Sequence, residues 1–598
     1  MRHLFILPTL ALLQACWHPL EIRGEGDIVE RIFGVRGCTY EEFQAGSERC
    51  LQNDVSDEQY LVSYQPVPRD GWEFDRWEGT ACMKGSIHPF CDYDISKVGV
   101  DFFNLEYSDF DIPATVAVFK RKVFEPPADE LDIQLHRVIT NLNLTGDPRP
   151  SDVPSIRSPL AQLGMKLFFS KSLSGKFDTA CASCHHPALG GADQLALPVG
   201  TAAKKQNIMG PTRAHKGGKP LVGRNSPTTF NSALYKTHLF WDGRVAALES
   251  GGISTPDSDS RFTADPLALD DLLAAQARFP VDEPDEMRSH DFMPGADGQA
   301  VREHLAARIG DYGSGTGEIS DNNWLPEFEA AFGSGIPVEE LVTFENIALA
   351  ISAYQQSQSF VDTPWKAYVQ RDYSAISRTA KLGALLFLKD APVFETGGDG
   401  AGCSLCHEGD FFSNEEFDAI SMPQIGPGKG DKGSETDDDL GRGGLFTSRT
   451  FNYRFRNPSL LNIALTAPYG HAGSYKTLKD VVNHYADAVE TLDKYFDKTG
   501  WCELEQFSKL DNCANLYPHG RSNTEKAREM VLSQNENDRG MPDIELTGAE
   551  IDQIVAFLET LTDTCAADRE CVSLWIPSRK SAPDGHQLNA RGADGKLL

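Results

Sequence analysis

Two pentapeptides carry the densest chemistry in this sequence: C-A-S-C-H at Cys181–His185 and C-S-L-C-H at Cys403–His407. In each, two thiols stand three residues apart and an imidazole follows the second at once. Thiols so spaced reach the two vinyl groups of one porphyrin, and the adjacent His can swing under the ring to its iron. A C-x-x-C redox pair has no use for the His. A structural zinc site needs four ligands, and no further Cys pair at ligand spacing lies nearby. The two copies therefore point to two covalently bound c-type haems. Cys181, Cys184, Cys403 and Cys406 would hold them, with His185 and His407 as proximal iron ligands.

The elements that must position these groups come in duplicate. L-G-M-K-L-F-F-S begins at Leu163 ahead of the first motif, and L-G-A-L-L-F-L-K at Leu382 ahead of the second. Downstream, R-N-S-P-T-T-F-N-S-A-L from Arg224 is matched by R-N-P-S-L-L-N-I-A-L from Arg456, and W-D-G at Trp241 by H-A-G at His471. Repetition at so long a period means two copies of one domain. The expected fold is mainly α: two c-type cytochrome domains related by internal duplication, residues 135–358 and 359–564, with a C-terminal tail at 565–598. The connector 336–368 carries a helical pattern, the Gly- and Asp-rich stretch 426–444 reads as a loop, and L-T-G-A-E-I-D-Q-I-V-A-F-L-E-T-L as a capped amphipathic helix. Ahead of them, residues 17–124 read as a small all-β domain. Y-L-V-S-Y-Q-P-V and A-T-V-A-V-F-K-R alternate as half-buried strands do. Between them, G-W-E-F-D-R-W-E-G resembles the core of small bacterial extracellular β-repeats, which places Trp72, Phe74 and Trp77 in its interior. An acidic, Pro-containing linker at 125–134 joins it to the rest.

Compartment follows from the N-terminus and the cysteines. M-R-H-L-F-I-L-P-T-L-A-L-L-Q-A-C is a basic residue, a short apolar run and small residues, a secretory signal too short to span a membrane. Its end, L-L-Q-A-C, resembles a bacterial lipobox and marks Cys16 for lipidation, with residues 1–16 as the lipoprotein signal. The expected location is the periplasm, anchored by lipid alone to a bacterial membrane, the outer one by first preference. Of 13 Cys, one is the lipobox residue and four hold haem; the remaining eight fall into close pairs, Cys38/Cys50, Cys82/Cys91, Cys502/Cys513 and Cys565/Cys571. Four disulfides persist only in an oxidising space. A formal net charge of -31 excludes a nucleic-acid partner, since phosphate binding needs a basic surface. It suits a basic partner protein, or simply a solubilising surface.

From about Pro159 to Thr562 these motifs resemble the bacterial dihaem cytochrome c peroxidase and MauG family: L-F-F-S-x-x-L-S, C-A-S-C-H, R-N-S-P-T, F-W-D-G-R, C-S-L-C-H and L-T-A-P-Y-G-H-A-G-S. The resemblance implies an oxidoreductase that splits hydrogen peroxide at the first haem while the second accepts electrons or stores oxidising equivalents. It implies that Trp241 bridges the two haems. It also implies one calcium ion between the domains, with Asn225, Thr466 and the carbonyl of Pro468 at the ligand positions; oxygen donors of that kind suit a hard cation. Q-A-R-F-P-V-D-E-P-D-E-M, Gln276 to Met287, matches the family's acid/base segment. Glu286 becomes the acid/base that moves a proton between the peroxide oxygens, and Gln276 its polar helper. Asp282, Glu283 and Asp285 are the neighbouring substitutes.

Sixth ligands decide the branch. Thr201 stands where the peroxidases place a His that caps the first haem, so the first iron is expected open; His215, further on, is the competing cap. Counting from His471 to the position of the second haem's distal ligand reaches Tyr485, the residue type that MauG-like enzymes use; His484 is the alternative. The implied function is a periplasmic peroxidase passing oxidising equivalents to an external donor, a small c-type cytochrome or another periplasmic reductant. Oxidation of Trp or Tyr side chains on a partner protein is the MauG-like alternative, and a non-catalytic electron-transfer cytochrome the alternative of another class. Family members are often homodimers.

Overall fold

The computed structural model describes residues 19–31, 36–51, 61–69, 71–79, 82, 87–94, 114–121, 129–390, 399–429, 437–535, 544–579 and 581–598. The lipobox residue Cys16 lies outside them. The chain divides into two compact units, Met1–Phe124 and Glu125–Leu598.

The first unit is built from strands short enough to need staples. One sheet runs β3–β2–β4–β6 (β2 Gly26–Glu30, β3 Gly37–Cys38, β4 Leu61–Pro68, β6 Cys91–Asp94), antiparallel throughout. The other runs β1–β7–β5 (β1 Leu20–Arg23, β5 Trp72–Gly79, β7 Thr115–Arg121), with β1 parallel to β7 and a register shift between Phe74 and Arg76. Leu20, Ile28, Tyr64, Trp77 and Phe119 form the core, with Trp72 and Phe74 half-buried against it. So few apolar residues make a marginal core. Disulfides Cys38–Cys50 and Cys82–Cys91 close it.

The second unit contains two large hydrophobic cores, each centred on one packed helix pair, and three smaller buried clusters among the described residues. In the first, α2 (Pro159–Phe169), capped by Ser158 with Pro at its first position, crosses α5 (Phe344–Gln356), capped by Thr343. A Cβ added at Gly164 would lie 1.8 Å from the Ala350 carbonyl oxygen. In the second, α7 (Arg378–Leu388) crosses α9 (Gly548–Glu559), and a Cβ at Gly383 would lie 1.9 Å from the Gln553 carbonyl oxygen. Those are the two glycines of the repeated L-G segments: only a missing side chain lets the helix axes approach so closely. The first core also takes α3 (Leu272–Ala277) and α4 (Gly298–Gly310); the second takes α6 (Pro364–Val369) and α8 (Leu478–Ala486).

Three sequence expectations are corrected. A helix, α1 (Glu130–Asn141), capped by Asp129, begins inside the expected linker, and its Leu131, Leu135 and Ile139 pack into the second core, not the first. The tail, expected as a segment beyond the two haem domains, belongs to the first core, where Ala566, Val572, Trp575, Leu588 and Ala590 pack. Nor is the unit mainly α throughout. Between residues 170 and 271 its regular elements, among the described residues, are three-residue helical turns and the short strands β8 (His238–Leu239), β9 (Val245–Ala247) and β10 (Ile253–Ser254). Left-handed backbone at Phe177, Gln194, Ala202, Asn231 and Phe240 bends this stretch repeatedly, as a segment folding around a flat group requires. Disulfides join Cys502–Cys513 and Cys565–Cys571. No helix among the described residues is long and apolar enough to cross a membrane.

Candidate active site

Each pentapeptide forms one tight helical turn, Cys181–Ser183 and Cys403–Leu405, with the His amide donating back to the first Cys carbonyl at 3.0 Å in both. The eight other described cysteines are bridged; these four are not. Burial pushes the thiols of Cys181, Cys403 and Cys406 up to about 12, which suits thioether formation and not thiolate nucleophiles. Burial also lowers His185 to about 4 and depresses His407, so both imidazoles are neutral, as iron ligation demands. Their tautomers are fixed by the fold. His407 Nδ1 donates to the Phe412 and Pro458 carbonyls, each at 3.1 Å. His185 Nδ1 lies 3.1 Å from Ser226 Oγ, whose own proton goes to the Cys184 carbonyl. In both, Nε2 is left with its lone pair.

One cavity gathers the first motif with the distant candidates. Its walls include Cys181, Cys184 and His185, then Trp241, Gln276, Glu286 and Met287, and also Lys429 and Arg456 from the second half of the unit. Buried Arg456 has its Nη1 unpartnered among the described residues, as an anionic haem propionate would require. The free thiols, the neutral His and this orphan donor fit a haem.

Gln276 stands on α3, which Asp271 caps and ties to α5 through Ser352 Oγ (2.6 Å) and Gln356 Nε2 (2.8 Å). Glu286 stands on a wide π-type turn, Pro284–Arg288, braced from below: Thr201 Oγ1 donates to the Pro284 carbonyl (3.0 Å) and Thr201 N to that of Asp285 (3.1 Å). Burial raises the Glu286 carboxyl; Lys429 and Arg244 pull it down, Glu283 and Asp285 push it up. The neighbouring acids are outside the cavity lining and already engaged, Asp282 with Arg302, Glu283 with Lys429 (3.1 Å) and Asp285 with His290 (3.0 Å). His215 is outside it too, its Nδ1 accepting from Gly217 N at 2.9 Å. Lys429 gave no signal in the sequence, lying in a Gly-rich stretch of the other half.

Trp241 occupies the turn between β8 and β9, where Nε1 donates to the Asn225 carbonyl (2.9 Å) and its own carbonyl accepts from Arg456 N (2.8 Å). Trp241 thus links the two R-N segments, through its indole to the first and its backbone carbonyl to the second. Behind it lies a buried ion network: Arg224 grips Asp439 through Nε and Nη2, both at 2.7 Å, and Asp242 through Nη1 at 2.6 Å.

In the second half, Tyr485 lies within electrostatic reach of Cys403, Cys406 and Asp418, and burial with those neighbours holds its phenol well above the usual range. His484 is committed elsewhere: Nε2 donates to the Ile420 carbonyl at 2.6 Å and Nδ1 accepts from Tyr475 Oη at 2.9 Å. Of the calcium candidates, Asn225 donates its amide N–H to the Leu195 carbonyl (2.9 Å), leaving Oδ1 available, and Thr466 Oγ1 donates to the Ile463 carbonyl (3.1 Å). The Ala467–Pro468 peptide is cis. No group of three or more His, Cys, Asp or Glu side chains poised for a metal occurs among the described residues.

Residues 158–374 match the family model described as di-haem cytochrome c peroxidase. The chain is similar to the cytochrome c551 peroxidase of Pseudomonas aeruginosa, 29% identical over 341 residues, covering 56% of this chain and 75% of that one. It is 30% identical over 350 residues to the methylamine utilization protein MauG of Methylorubrum extorquens, covering 57% and 74%. Among solved structures, the diheme peroxidase BthA from Burkholderia thailandensis superposes with a TM-score of 0.44 at 22% identity, covering 74% of this chain and 93% of that one.

Proposed function

The chain belongs to the di-haem cytochrome c peroxidase and MauG family of oxidoreductases, and from that premise we propose that it reduces hydrogen peroxide at the first haem and relays the oxidising equivalents through the second to an external electron donor. The supporting observation is the shared cavity, which brings Glu286 and Gln276 to the same chamber as His185 and the first pair of thiols. Bound there, haem supplies the iron at which the O–O bond is reduced.

The protein's part is protons and position. The Glu286 carboxyl, raised by burial and restrained by Lys429, sits nearer neutrality than an exposed Glu, so it can take a proton from the inner peroxide oxygen and return it to the outer one. The Gln276 amide has both donor and acceptor to orient the peroxide. With Thr201 turned away into the Glu286 loop and His215 outside the lining, no side chain of the first half caps the iron in this reading. Trp241, bonded to both R-N segments, is the electron bridge. Tyr485 would be held as a ligand of the second haem through its phenolic oxygen, in surroundings that by themselves keep the phenol protonated. That ligand favours storage of oxidising equivalents at the second centre, and with it the MauG-like alternative, oxidation of a partner protein's Trp or Tyr. Asn225, Thr466 and the Pro468 carbonyl are the calcium ligands. The four disulfides support the periplasm, and lipidation at Cys16 would supply the anchor.

Rapid mixing of the ferric protein with stoichiometric peroxide tests the reading. Glu286→Gln keeps the size and loses the acid/base, and should slow the first optical change by about 10²–10⁴-fold. An undiminished rate removes Glu286 from the mechanism.

A further inference from the structure

The second half carries a line of aromatic rings that the peroxide chemistry leaves unused. From the proximal His407, ring centroids step to Phe387 (6.4 Å), Phe557 (5.1 Å), Trp365 (5.0 Å), Tyr368 (5.8 Å, nearly parallel at 24°) and Tyr373 (6.0 Å). The first four rings after His407 are buried, and Tyr373 is half-exposed beside the exposed Arg371 and Asp372. In the first half the equivalent steps run from His185 to Phe168 (6.5 Å) and Tyr354 (5.0 Å). There the Tyr354 hydroxyl is tied to the Trp575 carbonyl at 2.8 Å, and no further ring contact continues from it among the described residues. The extension towards the surface is confined to the second half, and its stations are the two side-chain types that yield an electron most readily.

Tyr368 also has what one-electron oxidation of a phenol needs, a base for its proton at hydrogen-bond distance. Its Oη donates to Asp132 Oδ1 at 2.7 Å, and both residues are fully buried. Asp132 comes from α1 and pairs with Lys381 Nζ at 2.7 Å, whose ammonium lies 5.2 Å from the Tyr368 ring centroid. A carboxylate with its counterion under a helix interface is costly to bury, and apolar residues of similar volume often serve as well for stability alone.

We propose that Trp365, Tyr368 and Tyr373 form a proton-coupled relay that carries one-electron oxidising equivalents from the second haem centre to the surface, where a soluble one-electron donor refills it. The relay rests on the reading that the second haem holds oxidising equivalents derived from peroxide. An electron leaves Tyr368 for that centre by way of Trp365 and the two Phe rings. The phenolic O–H bond breaks, its proton passes to the Asp132 carboxylate, and a neutral tyrosyl radical remains. An electron from the donor, arriving at Tyr373, restores the phenol as Asp132 returns the proton.

The test uses the holoprotein with stoichiometric peroxide and no donor, freeze-quenched for EPR and trapped with a nitroxide-forming spin trap before peptide mass spectrometry. Optical spectra are followed in parallel. The expected result is a tyrosyl signal with trap adducts on the peptides bearing Tyr368 or Tyr373. Tyr368→Phe should cut the Tyr373 adduct at least tenfold while the first optical change with peroxide holds. Trp365→Phe should do the same, which separates a lost carrier from a lost hydrogen bond. A normal optical change with no adduct on these peptides, or adducts confined to the buried pair Tyr475 and Tyr495, whose ring centroids lie 5.6 Å apart, overturns the relay and leaves the peroxidase reading standing. No optical change at all overturns both.

Discussion

Asp439→Asn is the perturbation that most directly probes how the two halves of the catalytic unit are held in register. Arg224, Asp439 and Asp242 are 8%, 4% and 3% exposed, so water screens little of their interaction. At 2.7 Å and an effective dielectric of ~20, one unit-charge pair is worth roughly 6 kcal/mol gross, most of it offset by desolvation. Burial alone would push the Asp439 carboxyl up, yet Arg224 holds it below the usual range, so the pair is ionic at neutral pH. Asn keeps the shape but leaves Arg224 with one anion in place of two, and a broken buried pair costs ~3–5 kcal/mol. Because Asp242 remains at 2.6 Å, a loss of about 3 kcal/mol is expected. Urea unfolding followed at the haem absorption band reports on the catalytic unit, which carries both haem motifs. Arg224→Met combined with Asp439→Leu should be less damaging than Arg224→Met alone, since Asp439 is then not left as a buried anion without its guanidinium, while Asp242 keeps Arg244 at 3.1 Å. A loss below about 1 kcal/mol for Asp439→Asn would show a pair behaving like an exposed one, and the reasoning from burial would be wrong.

Two further outcomes follow from the same structure. Trp575 on the tail is buried, donates Nε1 to Ser357 Oγ at 3.1 Å and packs 4.8 Å from Phe360; Trp575→Ala should cost ~3–5 kcal/mol in urea unfolding of the catalytic unit, and an effect under 1 kcal/mol would mean the tail is not part of the first core. Burial lowers His471 to about 4, below the ordinary 6.5 that the unfolded chain recovers, so its contribution is present above pH 6.5 and fades as pH falls towards 4. The carboxyls of Asp193 and Asp282, raised to about 7, oppose this in the total, so the difference between wild type and His471→Gln is the quantity to measure; it should shrink by about 2.5 kcal/mol between pH 7.5 and pH 4.5, and a flat difference would rule out a neutral buried His471.

What the sequence makes legible is whatever one segment states by itself. Each C-x-x-C-H turn is complete within five residues, and the glycine of each L-G segment is there because a neighbouring helix carbonyl occupies the space of its Cβ. The choice between Tyr485 and His484 is open in sequence and rests in the structure on partners far along the chain, the Ile420 carbonyl and Tyr475. The apolar residues Leu131, Leu135 and Ile139 announce a buried helix face, but nothing in their spacing says which core receives it. The tail is harder still. Val572 and Trp575 are anchors on helical turns of three or four residues and Leu588 on irregular backbone, too short in each case for a period to show.

Those long-range placements share a consequence for the site. The chain enters the catalytic unit by packing α1 into the second core, builds the first, crosses to the second, and returns its tail to the first. Neither core is finished by one continuous half of the sequence. The first haem cavity follows the same rule: its thiols, His185, Gln276 and Glu286 come from one half, while Lys429 and Arg456 come from the other. Lys429, which pulls the Glu286 carboxyl down, and Arg456, whose unpartnered Nη1 suits a propionate, therefore reach the cavity only when both halves are folded together. In the proposed mechanism, peroxide chemistry at the first centre is thereby tied to the folding of the half that carries the second, which takes up what that chemistry produces.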